Sequence, residues 1–322
     1  MLSKDDVGRR VVIRRRLPEG QLTDALGELR GVVDLGLILR IDDGELFVPF
    51  ADIVAAKVVP PRPVRYSEIA ALELSAAGGW PAPETARLGD WLLRAGGGWT
   101  NRANSALAVG DPGISLEEAV DRVADWYRER GLVPRFAVPL PLARQTDRLL
   151  ERMGWEAYTP TLVMTRDLAR PTAGAAPAAG QDPAGGAAAG EPLIRLSATP
   201  DPAWIAMMAG HKGALPDVAA PILTGPDKVA FAALILDGDL VAIGRGAVTD
   251  DWLGLSLVQV LPEHRRRGHA ARVVDALAAW GGTRGATRAY LQVEEGNAAA
   301  VALYGYLGFQ VHHNYIHRKI DI

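Results

Sequence analysis

The chain has 322 residues, 48% of them hydrophobic, a formal net charge of −3 and no cysteine. That length exceeds one ordinary core and predicts two or three domains. The lack of cysteine excludes a disulfide framework, a thiolate metal site and a cysteine nucleophile, and the slight negative charge leaves any basic stretch to act locally instead of on a polyanion.

The N-terminal stretch MLSKDDVGRRVVIRRR holds no apolar run of signal-peptide length, and no segment approaches a membrane span. A cytoplasmic protein with no membrane contact is the expectation. Residues 1–62 read as short strands: RRVVIRRR, LGELRGVVDL, GLILRID and ELFVPFADIVAAKVV, with turn signals at Pro18-Glu19-Gly20 and Asp42-Asp43-Gly44. They predict a small all-β barrel of the SH3-like kind, with a stiff exit at VVPPRP. Alternation places Arg14 and Arg16 on one face of the first strand and Arg15 on the other, the pattern of a solvated strand and not of a nucleic-acid site.

Residues 63–169 mix helices and strands. DWLLRAGGGWTNRANSALAV reads as a hairpin-like run in which Asn101, Arg102, Asn104 and Ser105 alternate along one strand. GDPGISLEEAVDRVADWYRERG reads as a capped helix with Ala119, Val120, Val123, Ala124 and Trp126 apolar. Residues 170–191, PTAGAAPAAGQDPAGGAAAG and its flanks, have almost nothing to bury and read as a disordered linker. Residues 192–322 form the last segment. LLERMGWEAYTPTLVMTRDL, closing the second segment, resembles LYGYLGFQVHHNYIHRKI at the end of the chain. Gly154 over Gly308 aligns Trp155 with Phe309 and Leu162 with Ile316, as in a tandem duplication of helix, glycine and aromatic-led strand.

In the last segment, AFAALILDGDLVAIGRGAVTDDWLGLSLVQVLP predicts three strands, the third from about Leu253 to Val260. Val273, Val274, Leu277 and Ala278 fall at helical spacing, so a helix begins near Gly268. EHRRRGHAA therefore joins a strand to a helix N-terminus, where main-chain N–H groups lack partners and the dipole favours an anion. Gly268, Ala270 and Ala271 allow close approach of a phosphate. Arg265, Arg266 and Arg267 add charge at the rim, and the intervening His269 reads as an exposed loop side chain.

VQVLPEHRRRGHAARVVDAL resembles the signature of the GNAT superfamily of N-acetyltransferases, with Arg265, Gly268 and Ala270 at its defining positions. YLQVEEGNAAAVALYGYLGF, about thirty residues on, resembles the family's next strand and helix. The resemblance implies an α/β fold: a GNAT-like mixed sheet in two units, the first degenerate, preceded by the small barrel. It implies acetyl-CoA as co-substrate, held by the main chain of Val258 and Val260 and, at the pyrophosphate, by the main chain from Arg266 to Ala271. Asn297 would contact the cofactor arm. Tyr304 would stand near the sulfur, where a phenol can donate a proton as the thiolate leaves. The first segment carries Asp111-Pro112-Gly113 in place of the basic loop; proline lacks an N–H and aspartate repels phosphate, so it is not expected to bind the cofactor in this way.

Glu294, at the end of its strand, is the expected base for the incoming ammonium, with Glu295 and Asp251 as alternatives. Asn101, Arg102 and Asn104 are candidates for an acceptor cleft facing the last segment. HHNYIH is not read as a metal site: His313 and His317 share a strand face, His312 points away, and no acid is near in sequence. The reading is an acetyl-CoA-dependent N-acetyltransferase, in which a small-molecule or protein amine attacks the thioester directly within a ternary complex. The alternative is an acyl-CoA-binding sensor or scaffold without turnover. Neither the acceptor nor the oligomeric state is legible.

Overall fold

The computed structural model describes residues 2–41, 43–60, 62–168, 192–210 and 215–320. The expected linker at 170–191 lies outside them. Packing divides the chain into two units, Met1–Val64 and Arg65–Ile322.

The first unit is all β. Strands β1 (Arg10–Arg16), β2 (Leu22–Val33), β3 (Gly36–Ile41), β4 (Gly44–Pro49) and β5 (Ile53–Val58) form one antiparallel sheet in the order β4-β3-β2-β1-β5. Val11, Ile13, Leu29, Leu39 and Val48 are fully buried and make its core. Arg14 and Arg16 alternate outward from Val11 and Ile13, and Arg14 meets Asp24 across the ladder at 3.3 Å.

The second unit begins with α1 (Tyr66–Gly79), followed by β6 (Glu84–Leu88), β7 (Trp91–Ala95), β8 (Ala106–Leu107), α2 (Leu116–Arg128), β9 (Arg135–Leu140), α3 (Arg144–Arg152) and β10 (Glu156–Asp167). Its second half holds β11 (Leu193–Ser197), α4 (Pro202–Ala209), α5 (Ala219–Thr224), β12 (Val229–Leu236), β13 (Asp239–Thr249) and β14 (Trp252–Val260). It closes with α6 (His269–Thr283), β15 (Arg288–Glu294), α7 (Ala298–Tyr306) and β16 (Gln310–Lys319). The run from 100 to 105, expected as strand, is a loop between β7 and β8. Its glycines and turn residues leave no ladder partner, and the polar side chains bond within the loop.

The two halves share one sheet of eleven strands, ordered β11-β12-β13-β14-β15-β10-β16-β9-β8-β7-β6. Each half surrenders its last strand to the other. β10 pairs with β15, and β16 pairs with β9, all antiparallel, while β10 and β16 pair with each other at the centre. The two corresponding helix ends are alike in detail. Gly154 and Gly308 have φ of +81° and +83°, a backbone that favours glycine. Trp155 N–H donates to Leu150 O, and Phe309 N–H donates to Tyr304 O, each at 2.9 Å. Each aromatic ring then enters a core: Trp155 with Phe136 and Leu149, Phe309 with Val273 and Leu291.

Helix α1 belongs to the first half in sequence but packs against β13 and β14 of the second. Its Leu72 and Ala76 share a cluster with Val163, Trp252, Tyr290 and Tyr315. Trp80, at its end, joins Ala103, Trp204, Ile222 and Phe231 in a core drawn from both halves. Among the described residues no helix is long and apolar enough to cross a membrane.

Candidate active site

Two helices each connect the strands of a parallel pair, α2 between β8 and β9 and α6 between β14 and β15, and their N-termini are built in opposite ways. In the first half Ser115 caps α2 by accepting from Glu118 N–H, and Glu117 and Glu118 fill the first turn with negative charge. Gly113 N–H is taken by Asp111 Oδ1 and Asp111 N–H by Asp90 Oδ2, so this loop satisfies its own donors. In the second half Gly268 caps α6 with φ of +80°, no side chain bonds the first turn, and no acid lies in it. The N–H groups of His269, Ala270 and Ala271 therefore point out of the helix start without an intrahelical acceptor. A Cβ on Gly268 would meet nothing within 4 Å, so the approach to these donors is open.

The strand leading into this loop parts from its neighbour. β14 and β15 pair in parallel only from Trp252↔Arg288 to Leu255↔Leu291. From Ser256 to Val260, β14 pairs with β13 alone, and its other edge is free of β15. A bulge lies at the parting. Ile243 faces Gln259 while Arg245 faces Ser256, so Leu257 and Val258 together oppose Gly244, and Leu257 takes φ of +56°. Val258 and Val260 thus stand on the stretch of β14 that has left β15. Arg265, Arg266 and Arg267 are all exposed, and Arg265 Nε donates to Val260 O at 3.2 Å, which turns this guanidinium back toward the strand end.

His269 departs from expectation. Its ring is buried, 6% exposed, with neither nitrogen hydrogen-bonded, and it lies 6.2 Å from the ring of His264. Burial, reinforced by His264, Arg272 and Arg267, lowers its pKa, so it is neutral at pH 7. The α6 start turns the ring inward because its first position already belongs to the packed helix.

Tyr304 lies on α7 against the core of the second half, its ring 5.9 Å from Phe309 in an edge contact. Burial raises its pKa, keeping the phenol protonated. Asn297 caps α7, accepting from Ala300 N–H at 3.1 Å. By the paired helix ends, the first half carries Leu150 where the second carries Tyr304, and α3 starts at Ala143 without a side-chain cap where α7 starts at Asn297. Glu294 is exposed at the last position of β15, on the same face as Tyr290 and Gln292 by alternation. Glu295 is exposed in the following turn. Asp251 is a poor candidate for the base. It lies at the opposite end of β15, held bidentately by Arg288 at 3.0 and 2.8 Å and by Thr287 Oγ1. Partial burial would raise this carboxyl, but those bonds outweigh it and hold it below the usual carboxylate range.

A small cavity opens on the α1 face, lined from both halves by Glu73, Arg94, Arg102, Gln292, Tyr315 and His317, among others. Gln292 is the first β15 residue beyond the last β14 pair, so the cavity lies at the level where the strands part. Of the three acceptor candidates, Arg102 lines it. Asn101 Oδ1 accepts from Tyr158 Oη at 3.4 Å. Asn104 is fully buried and its amide is consumed: Gly96 and Gly98 N–H donate to Oδ1 at 2.8 Å, and Nδ2 donates to Trp99 O and Thr100 O at 2.8 Å. It staples the loop and offers no group to a ligand.

The histidine run is also rearranged. β16 bulges where Val163 faces His313 and Met164 faces Val311, so His312 is the extra residue and does not point away. Its Nδ1 lies 2.8 Å from His313 Nδ1, and His313 Nε2 lies 2.9 Å from Glu73 Oε1. The acid that sequence proximity did not supply comes from α1. His317 stacks on Tyr158 at 5.5 Å, and both its ring nitrogens are buried without a partner. Burial, with the Arg94, Arg102 and Arg135 charges, pushes its pKa down to about 3. Glu73, Arg94 and Gln292 were missed in the sequence, whereas His317 was singled out there in HHNYIH; a carboxylate inside an otherwise apolar helix stretch, EIAALELSAAGG, was the available signal for Glu73.

Comparison with known proteins agrees with this architecture. Residues 66–318 match the family described as "Probable histone acetyltransferase Rv0428c C-terminal", and residues 5–57 match "Rv0428c N-terminal Sm-like domain". The chain is 34% identical over 331 aligned positions to the probable histone acetyltransferase Rv0428c of Mycobacterium tuberculosis, covering 98% of this chain and 95% of that protein. It is 29% identical to the uncharacterized N-acetyltransferase YobR of Bacillus subtilis, covering 75% of this chain and 94% of that protein. A GCN5-related N-acetyltransferase from Kribbella flavida has the same fold with a TM-score of 0.54 at 18% identity, covering 78% of this chain and 95% of that one. The chain is an N-acetyltransferase of the GNAT superfamily and belongs to the family of Rv0428c, with an Sm-like domain of five antiparallel strands at its N-terminus.

Proposed function

We propose that the protein transfers an acetyl group from acetyl-CoA to an amine by direct attack on the thioester, with the chemistry in the second half of the sheet. The observation that carries this is the parting of β14 from β15 beyond Leu255 and Leu291, followed by a glycine-led helix start with no side-chain cap. Acetyl-CoA supplies the activated acetyl group. Its pyrophosphate suits the N–H groups of His269, Ala270 and Ala271 with the exposed Arg266 and Arg267 beside them. Its arm suits the open edge of β14 at Val258 and Val260, with Asn297 at the start of α7. Arg265, turned back to Val260 O, organises the strand end more than it binds.

The acceptor enters from the α1 face. Glu294 takes the ammonium proton at the solvent-exposed end of β15, directly or through water, and the neutral amine forms its new N–C bond as the C–S bond breaks. Tyr304 donates its phenolic proton to the departing sulfur and regains one from solvent. No covalent enzyme intermediate is needed. The name of the Mycobacterium tuberculosis relative adds protein lysines to the acceptors worth assaying.

The test is thiol release by the full chain with a panel of amines, beside calorimetry with acetyl-CoA. Binding together with amine-dependent thiol release supports the reading. Binding without release from any amine would make the protein an acyl-CoA sensor, and no binding would remove the site.

A further inference from the structure

The α1 face carries an excess of buried positive charge that the transfer chemistry does not use. Arg94 on β7 and Arg245 on β13 are 6% and 1% exposed. They are counterparts in the two halves. Arg94 donates to Ser105 Oγ on the following loop at 3.0 Å, and Arg245 lies 3.5 Å from Ser256 Oγ on the following strand, the same sequence separation in each case. Arg94 Nε otherwise reaches Ser105 O, while Arg245 reaches Leu223 O and Gly79 O. Arg245 Nη2 is buried with no partner. Arg102 is half-buried and shares the Trp80 ring with Arg245, their guanidinium carbons 5.9 and 4.9 Å from its centroid.

Among the described residues, none of these three arginines makes an ion pair with a carboxylate; the ion pairs of the second unit involve other residues. The single acid of the cavity lining is Glu73, and its Oε1 is engaged by His313. Burial of an arginine without an anion is costly, which is why such charges are ordinarily paired. Desolvation accordingly lowers the pKa of Arg94 and takes that of Arg245 down to about 10; a guanidinium in a protein keeps its charge all the same. The cavity lined by Arg94 and Arg102 also presents His317, whose ring nitrogens have no partner. A site with unpaired guanidinium groups and an unused imidazole is complementary to an anion with several acceptor oxygens.

We propose that the acceptor is a small amine bearing a carboxylate, such as a free α-amino acid, whose carboxylate is held by Arg94 and Arg102 while its amine faces the parting of β14 and β15. This rests on the acetyltransferase reading above and narrows its substrate. Arg245 is placed by Trp80 and the α5 carbonyl to reinforce the field at Arg102 from behind. A cationic lysine-rich peptide meets the wrong sign of charge here.

The experiment compares thiol release by the full chain with free α-amino acids, each beside its carboxamide and its decarboxylated amine, and with a lysine peptide of histone sequence. The expected result is turnover of at least one free acid, with its carboxamide weaker by roughly 10- to 100-fold, the size of one charged hydrogen-bonding partner lost. Arg102→Gln, on a loop and half-exposed, should raise KM for that acid by a similar factor and narrow the acid-to-amide ratio, with kcat changed much less and acetyl-CoA affinity unchanged. Arg94→Gln tests the same point, with circular dichroism to confirm folding. Preference for the amide, an acid-to-amide ratio untouched by Arg102→Gln, or turnover of the peptide with every free acid silent would overturn the proposal. So would acetyl-CoA binding with no free acid turned over; loss of acetyl-CoA binding itself would instead overturn the acetyltransferase reading.

Discussion

Gly268 holds φ of +80° with open space where a Cβ would project, so its requirement is set by the backbone and by the ligand's room, not by a neighbour. Gly268→Ala should cost about 1 kcal/mol of stability from the left-handed conformation alone. Gly268→Glu should in addition abolish measurable acetyl-CoA binding in calorimetry, because a carboxylate would stand among the donors proposed for phosphate. Arg265→Ala should lower affinity far less. Tyr304 is the second residue whose chemistry is separable from its packing. Burial keeps its hydroxyl protonated, and Tyr304→Phe keeps the ring against Phe309. The variant should lower kcat and kcat/KM together by about 100- to 10,000-fold with acetyl-CoA affinity unchanged. Near-normal kcat would reduce Tyr304 to a packing residue, which is what Leu150 is at the corresponding place in the first half. The strand, basic loop and helix around Gly268 were legible in the sequence because they depend on local spacing, whereas a role for Tyr304 was implied only by the family resemblance. The inward turn of His269 was not legible, since it depends on what packs beneath the first turn of α6.

The loop between β7 and β8 shows how an element can be misread from alternation. Its polar residues looked like a strand's solvated face, but Asn104 satisfies five main-chain groups of the loop and is fully buried. Asn104→Ala should destabilise the second unit by about 2 to 4 kcal/mol, since several buried donors and acceptors lose their partner together. Urea denaturation measures this, and a change below 0.5 kcal/mol, roughly the scale of a surface substitution, would show that water replaces the amide. Strand β16 makes a pH prediction. His317 titrates near 3 in the folded protein, against roughly 6.5 in an unfolded chain. Between those values the unfolded state binds a proton that the folded state refuses, so stability is fully present above about pH 6.5 and falls as the pH drops toward 3. The His317 contribution is at most about 1.4 kcal/mol per pH unit. His317→Phe should flatten this part of the stability profile measured by denaturant melts from pH 7 to 4; an unchanged slope would place the acid sensitivity elsewhere.

The eleven-stranded sheet makes the two halves one folding unit. β10 fills the place beside β15 and β16 fills the place beside β9, so removing either half leaves the other with an exposed strand edge and a missing wall of its cavity. Residues 192–322 produced alone should aggregate or melt at much lower temperature, whereas the two halves made as separate chains and mixed should co-elute and recover thiol release. Full activity of residues 192–322 alone would show that neither β10 nor the α1 face contributes to catalysis. The Sm-like unit packs its own core of Val11, Ile13, Leu29, Leu39 and Val48.

The sequence by itself determined what short-range chemistry encodes. The alternation of β1 to β5 requires a pleated sheet with one buried face. The spacing of Gly268, Ala270 and the apolar positions of α6 requires a strand, an anion-ready turn and a helix. The repeated glycine and aromatic at 154–155 and 308–309 give the two helix ends the same form, because each must leave the right-handed region before its aromatic can enter a core. Only the tertiary structure decided which strand lies beside which. β10 could complete its own half or the other with similar local hydrogen bonding, so the exchange depends on the packing of whole faces. It is that exchange, with α1 crossing to β13 and β14, that brings Glu73 to His313 and sets Arg94 and Arg102 in one cavity with Gln292 and His317, across sequence distances no local pattern can report.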